Sequence, residues 1–302
     1  MNSDKTYPSS CNKNPCVEQC SISKDDITHT ITTQDTLPQA LFADKSPSFS
    51  VAVLAEQEAF FESAEKLAQH LGAVFITSPP SKDFQGLVLK VDKKGLSLTD
   101  GAMTLHGDYV KMYDRIKPGK LQKELLVKAA KIKNTDHPLT AIDATAGLGQ
   151  DSLLLAAAGF SVTLYEKDPI IAALLKDSIQ RVKNDRWLGP ITNRMTVVEE
   201  DSIEALNSFS DTSSSPDVIL LDPMFPERKK SASVKKKFQV IHQLEKPCEN
   251  EEELIQAALS VHPRKVIIKR PAKGPYLGSI SPTYSLEGKA IRYDVIVLPP
   301  QS

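Results

Sequence analysis

The chain has 302 residues, of which 40% are hydrophobic and 25% are charged, and its formal net charge is −1. That length suits one large domain or a catalytic domain with a smaller partner, and the composition is typical of a globular protein. The nearly neutral charge excludes a uniformly basic nucleic-acid-binding protein, so any contact with RNA or DNA must come from a local patch. No apolar run in the sequence approaches the roughly 20 residues that span a bilayer.

Residues 1–46 are predicted to form a flexible extension, because they are rich in Ser, Thr, Asp, Asn and Pro and show little apolar periodicity. They lack the apolar core of a signal peptide, so the expected location is the cytoplasm. Cys11, Cys16 and Cys20 lie in this extension, and Cys248 lies far from them. Because their spacing is not the paired C-x-x-C arrangement of a zinc site, we expect no metal.

Residues 47–118 are predicted to form a small α/β subdomain. A first strand begins at Ser48, and an amphipathic helix over residues 58–72 ends at Gly72. A helix that carries several lysines, from Gly119 to Ile132, leads out of the subdomain. Three further short strands, separated by Pro, Lys-Asp and Lys-Gly turns, are predicted in residues 74–78, 86–92 and 95–100.

Residues 119–302 are predicted to form the catalytic domain, because strands and helices alternate from Thr140 onward. Such alternation predicts an α/β fold with a mostly parallel, seven-stranded sheet covered by helices on both faces. Ligands of these sheets bind outside the carboxyl ends of the strands. The predicted strands cover residues 140–145, 161–168, 195–201, 217–223, 265–271 and 291–299, and the predicted helices cover 149–159, 169–182, 202–209 and 251–261.

A glycine-containing loop follows the first of these strands. Asp143 ends the strand, Gly147 and Gly149 lie in the loop, and Gln150 and Asp151 begin the helix. Small residues allow a sharp turn and a close approach of the backbone to a ligand. The same residues could serve only tight packing of the helix on the strand, so this loop is a weak signal by itself.

Acidic residues follow the next two strands. Glu166 lies 17 positions after Gly149 (149 to 166), where nucleotide cofactors use a carboxylate to bind ribose hydroxyls. Asp201, followed by Ser202, can reach an adenine amino group or cap the next helix, and both roles are compatible. Glu166 could equally be an exposed carboxylate at a strand end. Together with the loop, these residues favour an adenosine-type cofactor.

The fourth strand ends in the sequence Asp222-Pro223-Met224-Phe225-Pro226. It resembles the D/N-P-P-Y/F motif of amino-group methyltransferases, with Met224 in place of the second proline. An exocyclic base amine is a poor nucleophile, and acceptors such as the Asp222 carboxylate and the Pro223 carbonyl favour its attack. Phe225 can stack on the base. The alternative is an Asp-Pro turn at the end of a buried strand.

A run of cations follows this motif directly. Such runs are usually solvated, but this one lies beside the predicted target pocket of a nearly neutral chain, so we interpret it as a contact for RNA phosphates. Two cations at the end of the fifth predicted strand, Lys269 and Arg270, are expected to extend it. The run consists of Arg228, Lys229, Lys230, Lys235, Lys236 and Lys237.

The sequence resembles the RsmJ family of bacterial 16S ribosomal RNA (guanine-N2)-methyltransferases. The resemblance runs in order from Leu87 to Leu298 and is strongest from Asp143 to Leu244. The segments that carry it are DATAGLGQDSLLLAAAGFSVTLYEKDPIIAALL, LDPMFPERKKSASVKKK, VIIKRP and RYDVIV. D-P-M-F-P followed by the lysine run is the most distinctive of these combinations.

The resemblance implies a class I Rossmann-like methyltransferase that uses S-adenosylmethionine. It implies transfer to the 2-amino group of a guanine near the 3′ end of the small-subunit RNA, with 16S rRNA or the small ribosomal subunit as partner. A monomer without membrane or metal partners is expected. The implied cofactor contacts are Gln150, Asp151, Glu166, Lys167, Asp201, Ser202 and Asp222.

Three alternatives stay open from the sequence. The first is methylation of another base amine, adenine N6 or cytosine N4. The second is an NAD-dependent oxidoreductase that uses the same glycine loop, although Ser152 stands where the dinucleotide fingerprint has its third glycine. The third is an RNA-binding module without catalysis, against which the intact acidic residues argue.

Overall fold

The five strands of the N-terminal sheet come from the first third of the described chain. The computed structural model describes residues 50–81, 83–133, 135–209, 215–223 and 250–299. The sheet has the order β2-β1-β3-β4-β5, with β1 parallel to β2 and β3, and with β4 antiparallel to β3 and β5. Its strands are β1 (Val51–Leu54), β2 (Val74–Ile76), β3 (Leu87–Asp92), β4 (Gly95–Thr99) and β5 (Thr104–Leu105).

Helix α1 (Phe61–Leu71) connects the parallel strands β1 and β2. Its small residues Ala64 and Ala68 are buried against the sheet. The helix ends at Gly72, whose φ of 61° is a left-handed conformation that glycine adopts without a steric penalty. The predicted helix and its stop are therefore confirmed.

A second, seven-stranded sheet has the order β11-β12-β10-β9-β6-β7-β8. Its strands from β10 to β8 run parallel, and β12 is antiparallel to both β10 and β11. The α/β class is confirmed, and the sheet is mixed. The strands are β6 (Thr140–Asp143), β7 (Ser161–Tyr165), β8 (Met195–Val198), β9 (Val218–Leu221), β10 (Lys265–Pro271), β11 (Tyr284–Glu287) and β12 (Ile291–Val297).

Helices follow the parallel strands and cover the sheet. Within the described segments, short 3₁₀ turns occupy Glu58–Phe60, Tyr109–Met112, Leu121–Lys123 and Leu277–Ser279. Among the helices of the described segments, none combines the length and hydropathy that a membrane span requires. The remaining helices are α2 (Tyr113–Ile116), α3 (Leu125–Ala130), α4 (Gln150–Ala157), α5 (Pro169–Arg181), α6 (Gly189–Thr192), α7 (Ser202–Asn207) and α8 (Glu251–Ser260).

The prediction of one continuous helix from Gly119 to Ile132 is wrong. The segment consists of the 3₁₀ turn Leu121–Lys123 and the helix α3, which are separated at Glu124. Glu124 has an extended ψ of 130°, and both of its carboxylate oxygens accept hydrogen bonds from Arg115 at 2.8 and 3.0 Å. A bidentate ion pair thus holds the chain where the helix is interrupted.

Helix α5 packs against both sheets. Ile171 and Leu174 belong to the apolar cluster of the N-terminal sheet, and Leu175 belongs to the cluster beneath α4. A helix with apolar residues on several faces is buried between layers. Both sheets lie within one unit, Ser46–Ser302. The predicted domain limits, 1–46, 47–118 and 119–302, stay a prediction.

Candidate active site

The carboxyl ends of four neighbouring parallel strands carry the predicted cofactor residues. The adjacent order β9-β6-β7-β8 brings Asp222, Asp143, Glu166 and Asp201 to one edge of the seven-stranded sheet. That edge is where open α/β sheets bind ligands. Sequence positions that span 80 residues (143 to 222) are therefore neighbours in the fold.

The two glycines of the loop between β6 and α4 have different reasons to be glycine. Both have positive φ angles, 53° at Gly147 and 69° at Gly149. A Cβ atom at Gly149 would lie 2.5 Å from the hydroxyl of Tyr109 and 2.6 Å from a methyl of Leu175. Among the described residues, no heavy atom lies within 4 Å of a Cβ built on Gly147. Gly149 therefore allows close packing beneath the loop, whereas Gly147 presents its backbone to open space.

Asp143 supports the loop from below. It is 2% exposed, and its carboxylate accepts hydrogen bonds from the Ser152 hydroxyl and from the Thr145 backbone N–H, the latter at 3.2 Å. Burial raises the pKa of Asp143 to about 7. Through these two hydrogen bonds, Asp143 connects the end of β6 with the loop and with the first turn of α4. Gln150, the first residue of α4, is exposed.

Glu166 joins the end of β7 to the glycine loop. One carboxylate oxygen accepts a hydrogen bond from Gly147 N and the other accepts one from Asp168 N, both at 2.9 Å. Burial raises the pKa of Glu166, and the two backbone donors oppose that rise. Since each carboxylate oxygen has two lone pairs, both can still accept a hydrogen bond from a ligand hydroxyl.

Asp201 lies at the end of β8 and caps α7. Its Oδ1 accepts a hydrogen bond from Ile203 N at 2.9 Å, which confirms the predicted capping role. Its Oδ2 lies 3.7 Å from Lys167 Nζ, so the two predicted cofactor residues form a partly exposed ion pair. Ser202, the first residue of α7, is 8% exposed.

Asp222 is held from its backbone and from its side chain. Its N–H donates to Thr145 Oγ1 at 2.6 Å, which joins the end of β9 to the loop after β6. Its Oδ2 lies 2.7 Å from Lys269 Nζ, and the same ammonium lies 2.8 Å from Asp151 Oδ2. The Asp222 side chain remains 37% exposed, so this carboxylate is available to a substrate.

Lys269 differs from its predicted place in an RNA-binding patch. Burial alone would lower the pKa of Lys269, but the carboxylates of Asp151 and Asp222 outweigh it and raise the pKa above the ordinary lysine value. Its side chain is 25% exposed. The ammonium belongs to the acidic site at the strand ends rather than to an open cationic surface.

Arg270 also corrects a prediction. It is 1% exposed, donates to the Pro275 carbonyl at 2.9 Å, and pairs with Glu251 at 3.3 Å. A guanidinium in that position joins β10 to the following loop and to α8, and it is too deeply buried to bind phosphate. Lysine and arginine in a buried strand are themselves a signal of internal acidic partners, because these residues are almost never fully buried unless paired.

Three further residues line this region without having been predicted from the sequence. Tyr109 is 1% exposed and donates to the Leu148 carbonyl in the glycine loop at 3.1 Å. Tyr293 on β12 lies beside Lys269 in the antiparallel register, and Arg115 contributes positive charge near Asp151. Because these residues lie far along the chain from the motifs, the sequence pattern gave no signal that they belong to the site.

Pro223 is also described, and it is buried. The other predicted site residues lie outside the described residues, as do the four cysteines. The predicted residues outside the described ranges are Met224, Phe225, Arg228, Lys229, Lys230, Lys235, Lys236 and Lys237.

The described residues fit an adenosine-containing cofactor. Gly147 offers a backbone cradle that faces open space, Glu166 offers two carboxylate oxygens beside it, and Asp201 follows on the next strand. These are the donor and acceptor types that bind a ribose and an adenine at a strand edge.

Comparison with known proteins agrees with this geometry. Residues 77–298 match a family described as “Putative SAM-dependent methyltransferase”. The ribosomal RNA small subunit methyltransferase J of Marinobacter nauticus is 37% identical over 77% of this chain and 86% of its own length. That of Thioalkalivibrio sulfidiphilus is 38% identical over 78% and 93%.

A solved structure gives the same result. The crystal structure of a SAM-dependent methyltransferase from Neisseria gonorrhoeae superposes with a TM-score of 0.62 at 27% identity, over 84% of this chain and 98% of that protein. The fold is Rossmann-like, and the cofactor is S-adenosylmethionine. The chain therefore belongs to the SAM-dependent methyltransferase family that includes the ribosomal RNA small subunit methyltransferase J proteins.

Proposed function

We propose that this protein transfers a methyl group from S-adenosylmethionine to the N2 amine of a guanine near the 3′ end of 16S ribosomal RNA. The observation that carries the proposal is the position of Asp222 just after β9, where its backbone is tied to the glycine loop and its carboxylate is partly open to solvent. The names of the curated relatives support ribosomal RNA of the small subunit as the substrate class.

The residues at the strand end suit an amine acceptor. When bound, S-adenosylmethionine supplies an electrophilic methyl group on a sulfonium sulfur. The Asp222 carboxylate accepts a hydrogen bond from one N–H of the target amine, and the Pro223 carbonyl accepts from the other, which orients the nitrogen lone pair toward the methyl group. Phe225 stacks on the base and holds it in this orientation.

The cofactor is proposed to lie along the neighbouring strand ends. Gly147 and Gly149 form the loop against which it packs, Glu166 accepts from its ribose hydroxyls, and Asp201 accepts from its adenine amine. Further contacts come from residues at the starts of α4, α5 and α7 and from the end of β9. These are Gln150, Asp151, Lys167, Ser202 and Asp222.

RNA phosphates are proposed to bind the cationic run that follows the D-P-M-F-P motif. Six positive charges lie within ten residues (228 to 237) of a chain whose formal net charge is only −1. Such a local concentration of positive charge attracts RNA phosphates. Lys269 and Arg270 are no longer part of this proposal, because both are engaged with internal partners. A salt dependence of RNA binding that weakens on replacement of Lys235, Lys236 and Lys237 would support the run as the phosphate contact.

A methyl-transfer assay on small ribosomal subunits tests the proposed reaction. Subunits and naked 16S rRNA from a strain that lacks this gene are incubated with the protein and radiolabelled S-adenosylmethionine, and the RNA is digested to nucleosides for mass spectrometry. We expect N2-methylguanosine at one position near the 3′ end. N6-methyladenosine or N4-methylcytidine instead would assign the other base amine, and no transfer to either RNA substrate would contradict the proposal.

Calorimetry with S-adenosylhomocysteine provides a control that is independent of RNA. We expect binding by the wild-type protein and a weaker affinity for Glu166→Ala, because the substitution removes the acceptor for the ribose hydroxyls and the tie to Gly147 N. Glu204→Ala, on the first turn of α7, is the matched control, since it removes a carboxylate that is not part of the proposed cofactor site.

A further inference from the structure

Lys269 lies at the point where the cofactor side and the target side of the site meet. It follows Ile268, which pairs with Leu221 of the parallel neighbour β9, so Lys269 lies beside Asp222 at the strand ends. Its Nζ donates to Asp222 at 2.7 Å and to Asp151, in the first turn of α4, at 2.8 Å. One side chain thus connects β9 with the helix that follows the glycine loop.

The charge of this cluster is unbalanced. One ammonium faces two carboxylates, which leaves a formal excess of one negative charge. Without the ammonium, two carboxylates would share one partly buried site, and one of them would tend to take up a proton. The other charged or titratable groups that face the cluster are Arg115, Asp143, Arg270 and Tyr293.

We infer that Lys269 is a positioning residue that fixes the Asp222 carboxylate toward the target amine, keeps it ionised, and ties it to Asp151 at the start of α4. This inference rests on the proposed role of Asp222 in base-amine methylation. A protonated Asp222 would present one acceptor oxygen fewer to the amine, and a rotated Asp222 would misdirect the nitrogen lone pair.

A second lysine on the same strand provides the contrast. Lys265 is four residues earlier on β10, so it projects to the same face of the sheet. Its ammonium donates to the carbonyls of Ala129 and Lys131 at 2.8 Å and to the Tyr284 hydroxyl at 3.3 Å. Those acceptors are neutral and lie at the amino end of the strand, so Lys265 joins structural elements without contacting the site.

Three variants separate positioning from general support of the fold. Lys269→Met removes the charge and keeps a long side chain, and Lys269→Arg keeps the charge with a different reach. Lys265→Met is the matched control on the same strand. If Lys269→Met does not fold, Lys269→Arg still tests the geometry, since it retains a cation between Asp151 and Asp222.

The first measurement does not depend on activity. Carbon-13 titration of the aspartate carboxyls follows ionisation in the free protein, with Asp222→Asn, Asp151→Asn and Asp143→Asn used to assign the signals. Burial raises the pKa of Asp222, and the Lys269 ammonium opposes that rise. We therefore expect Lys269→Met to move the titration of Asp222 further upward, by at least about one pH unit. Lys265→Met should leave the Asp222 titration unchanged.

The second measurement is the pH dependence of kcat for methyl transfer. In Lys269→Met we expect kcat near neutral pH to fall about tenfold and to recover in part as the pH rises, while KM for S-adenosylmethionine changes less. Lys269→Arg should keep the wild-type acidic limb with a lower kcat. A purely structural lysine would lower stability without moving the acidic limb.

Two results would overturn the inference: an unchanged Asp222 titration in folded Lys269→Met, or an acidic limb of kcat in Lys269→Met that coincides with that of the wild type. A wild-type protein that methylates no ribosomal RNA would contradict the proposed function alone. In that case the carboxyl titration still decides whether Lys269 holds Asp222 ionised.

Discussion

Two aspartates flank the same buried strand and have opposite environments. Strand β9 is fully buried, with Asp217 just before it and Asp222 just after it. Asp217 is 2% exposed and accepts hydrogen bonds from Thr140 N at 2.9 Å and His137 at 3.2 Å, and it pairs with Arg264 at 3.4 Å. Asp222 has a side chain that is 37% exposed and is held by Lys269.

The difference between the two ends separates a structural carboxylate from a functional one. At the amino end, donors from β6, from the segment before it and from the segment before β10 converge on Asp217, which ties three parts of the chain together. At the carboxyl end, Asp222 retains acceptor capacity toward the space beside the glycine loop. A fully satisfied buried carboxylate stabilises the fold, whereas a partly satisfied one at a strand edge can bind a ligand.

Replacement of Asp222 should have the largest effect on methyl transfer. We expect Asp222→Ala to lower kcat about 100- to 1,000-fold, or about 3–4 kcal/mol in activation free energy, because it removes the acceptor for the target amine. The free energy of unfolding, measured by urea denaturation, should change by less than about 1 kcal/mol, since the carboxylate is partly exposed. Activity within a few-fold of the wild type would remove Asp222 from its proposed role.

Replacement of Asp217 should produce the reverse result. We expect Asp217→Ala to lower the free energy of unfolding by about 2–3 kcal/mol, because it leaves the Thr140 N–H, the His137 imidazole and the Arg264 guanidinium without their shared acceptor. The folded fraction should retain the wild-type kcat. Asp217→Asn, which keeps an acceptor oxygen, should be milder. A large loss of kcat in folded Asp217→Ala would break the contrast between the two strand ends.

The two loop glycines allow the same contrast within the carboxyl end. Gly149→Ala should lower the free energy of unfolding by about 2 kcal/mol, because it adds left-handed strain and a Cβ against Tyr109 and Leu175. Gly147→Ala carries the left-handed strain alone, about 1 kcal/mol, since its Cβ points into open space.

The order of the two variants should be reversed for cofactor affinity, with Gly147→Ala weakened more than Gly149→Ala. In calorimetric titrations with S-adenosylhomocysteine, Gly147→Ala should weaken binding more than its small loss of stability suggests, because the added methyl occupies the cradle. If Gly147→Ala binds with wild-type affinity, the cofactor does not pack against that part of the loop.

Local sequence patterns predicted the individual elements well because they have local causes. Gly72 ends α1 through its own backbone conformation, and Asp201 caps α7 through a hydrogen bond two residues along the chain. Strand β11 (Tyr284–Glu287) was not predicted, since its short polar stretch becomes a strand by pairing with β12. Its stability comes from tertiary contacts rather than from propensity.

Partners that are distant in sequence explain the errors at the site. Lys269 lies 118 residues from Asp151 and 47 from Asp222, so its role depends on β10 lying next to β9. Sequence neighbours suggested instead that Lys269 and Arg270 continue a cationic run. The acidic residues at the strand ends were predicted because alternating strands and helices of a parallel sheet bring those ends to one edge, whatever the strand order.

The smallest effect concerns the pH dependence of the amino end of β9. His137 lies 3.1 Å from Asp136 and 3.2 Å from Asp217, and hydrogen bonds to these carboxylates raise the pKa of His137 above 6.5. Since the folded-state pKa exceeds the unfolded value, this stabilisation is fully present below about pH 6.5 and is lost as the pH rises through the folded-state pKa.

We therefore compare the Tm of the wild type with that of His137→Gln across this range of pH. The wild type should be the more stable protein near pH 5.5, and the difference should shrink as the pH rises through the folded-state pKa of His137. His70→Gln is the matched control, because His70 pairs with Glu199 away from β9. A Tm difference for His137→Gln that is constant with pH would mean that a neutral His137 imidazole donates the hydrogen bond to Asp217. An ion pair between His137 and Asp217 would then not stabilise the amino end of β9.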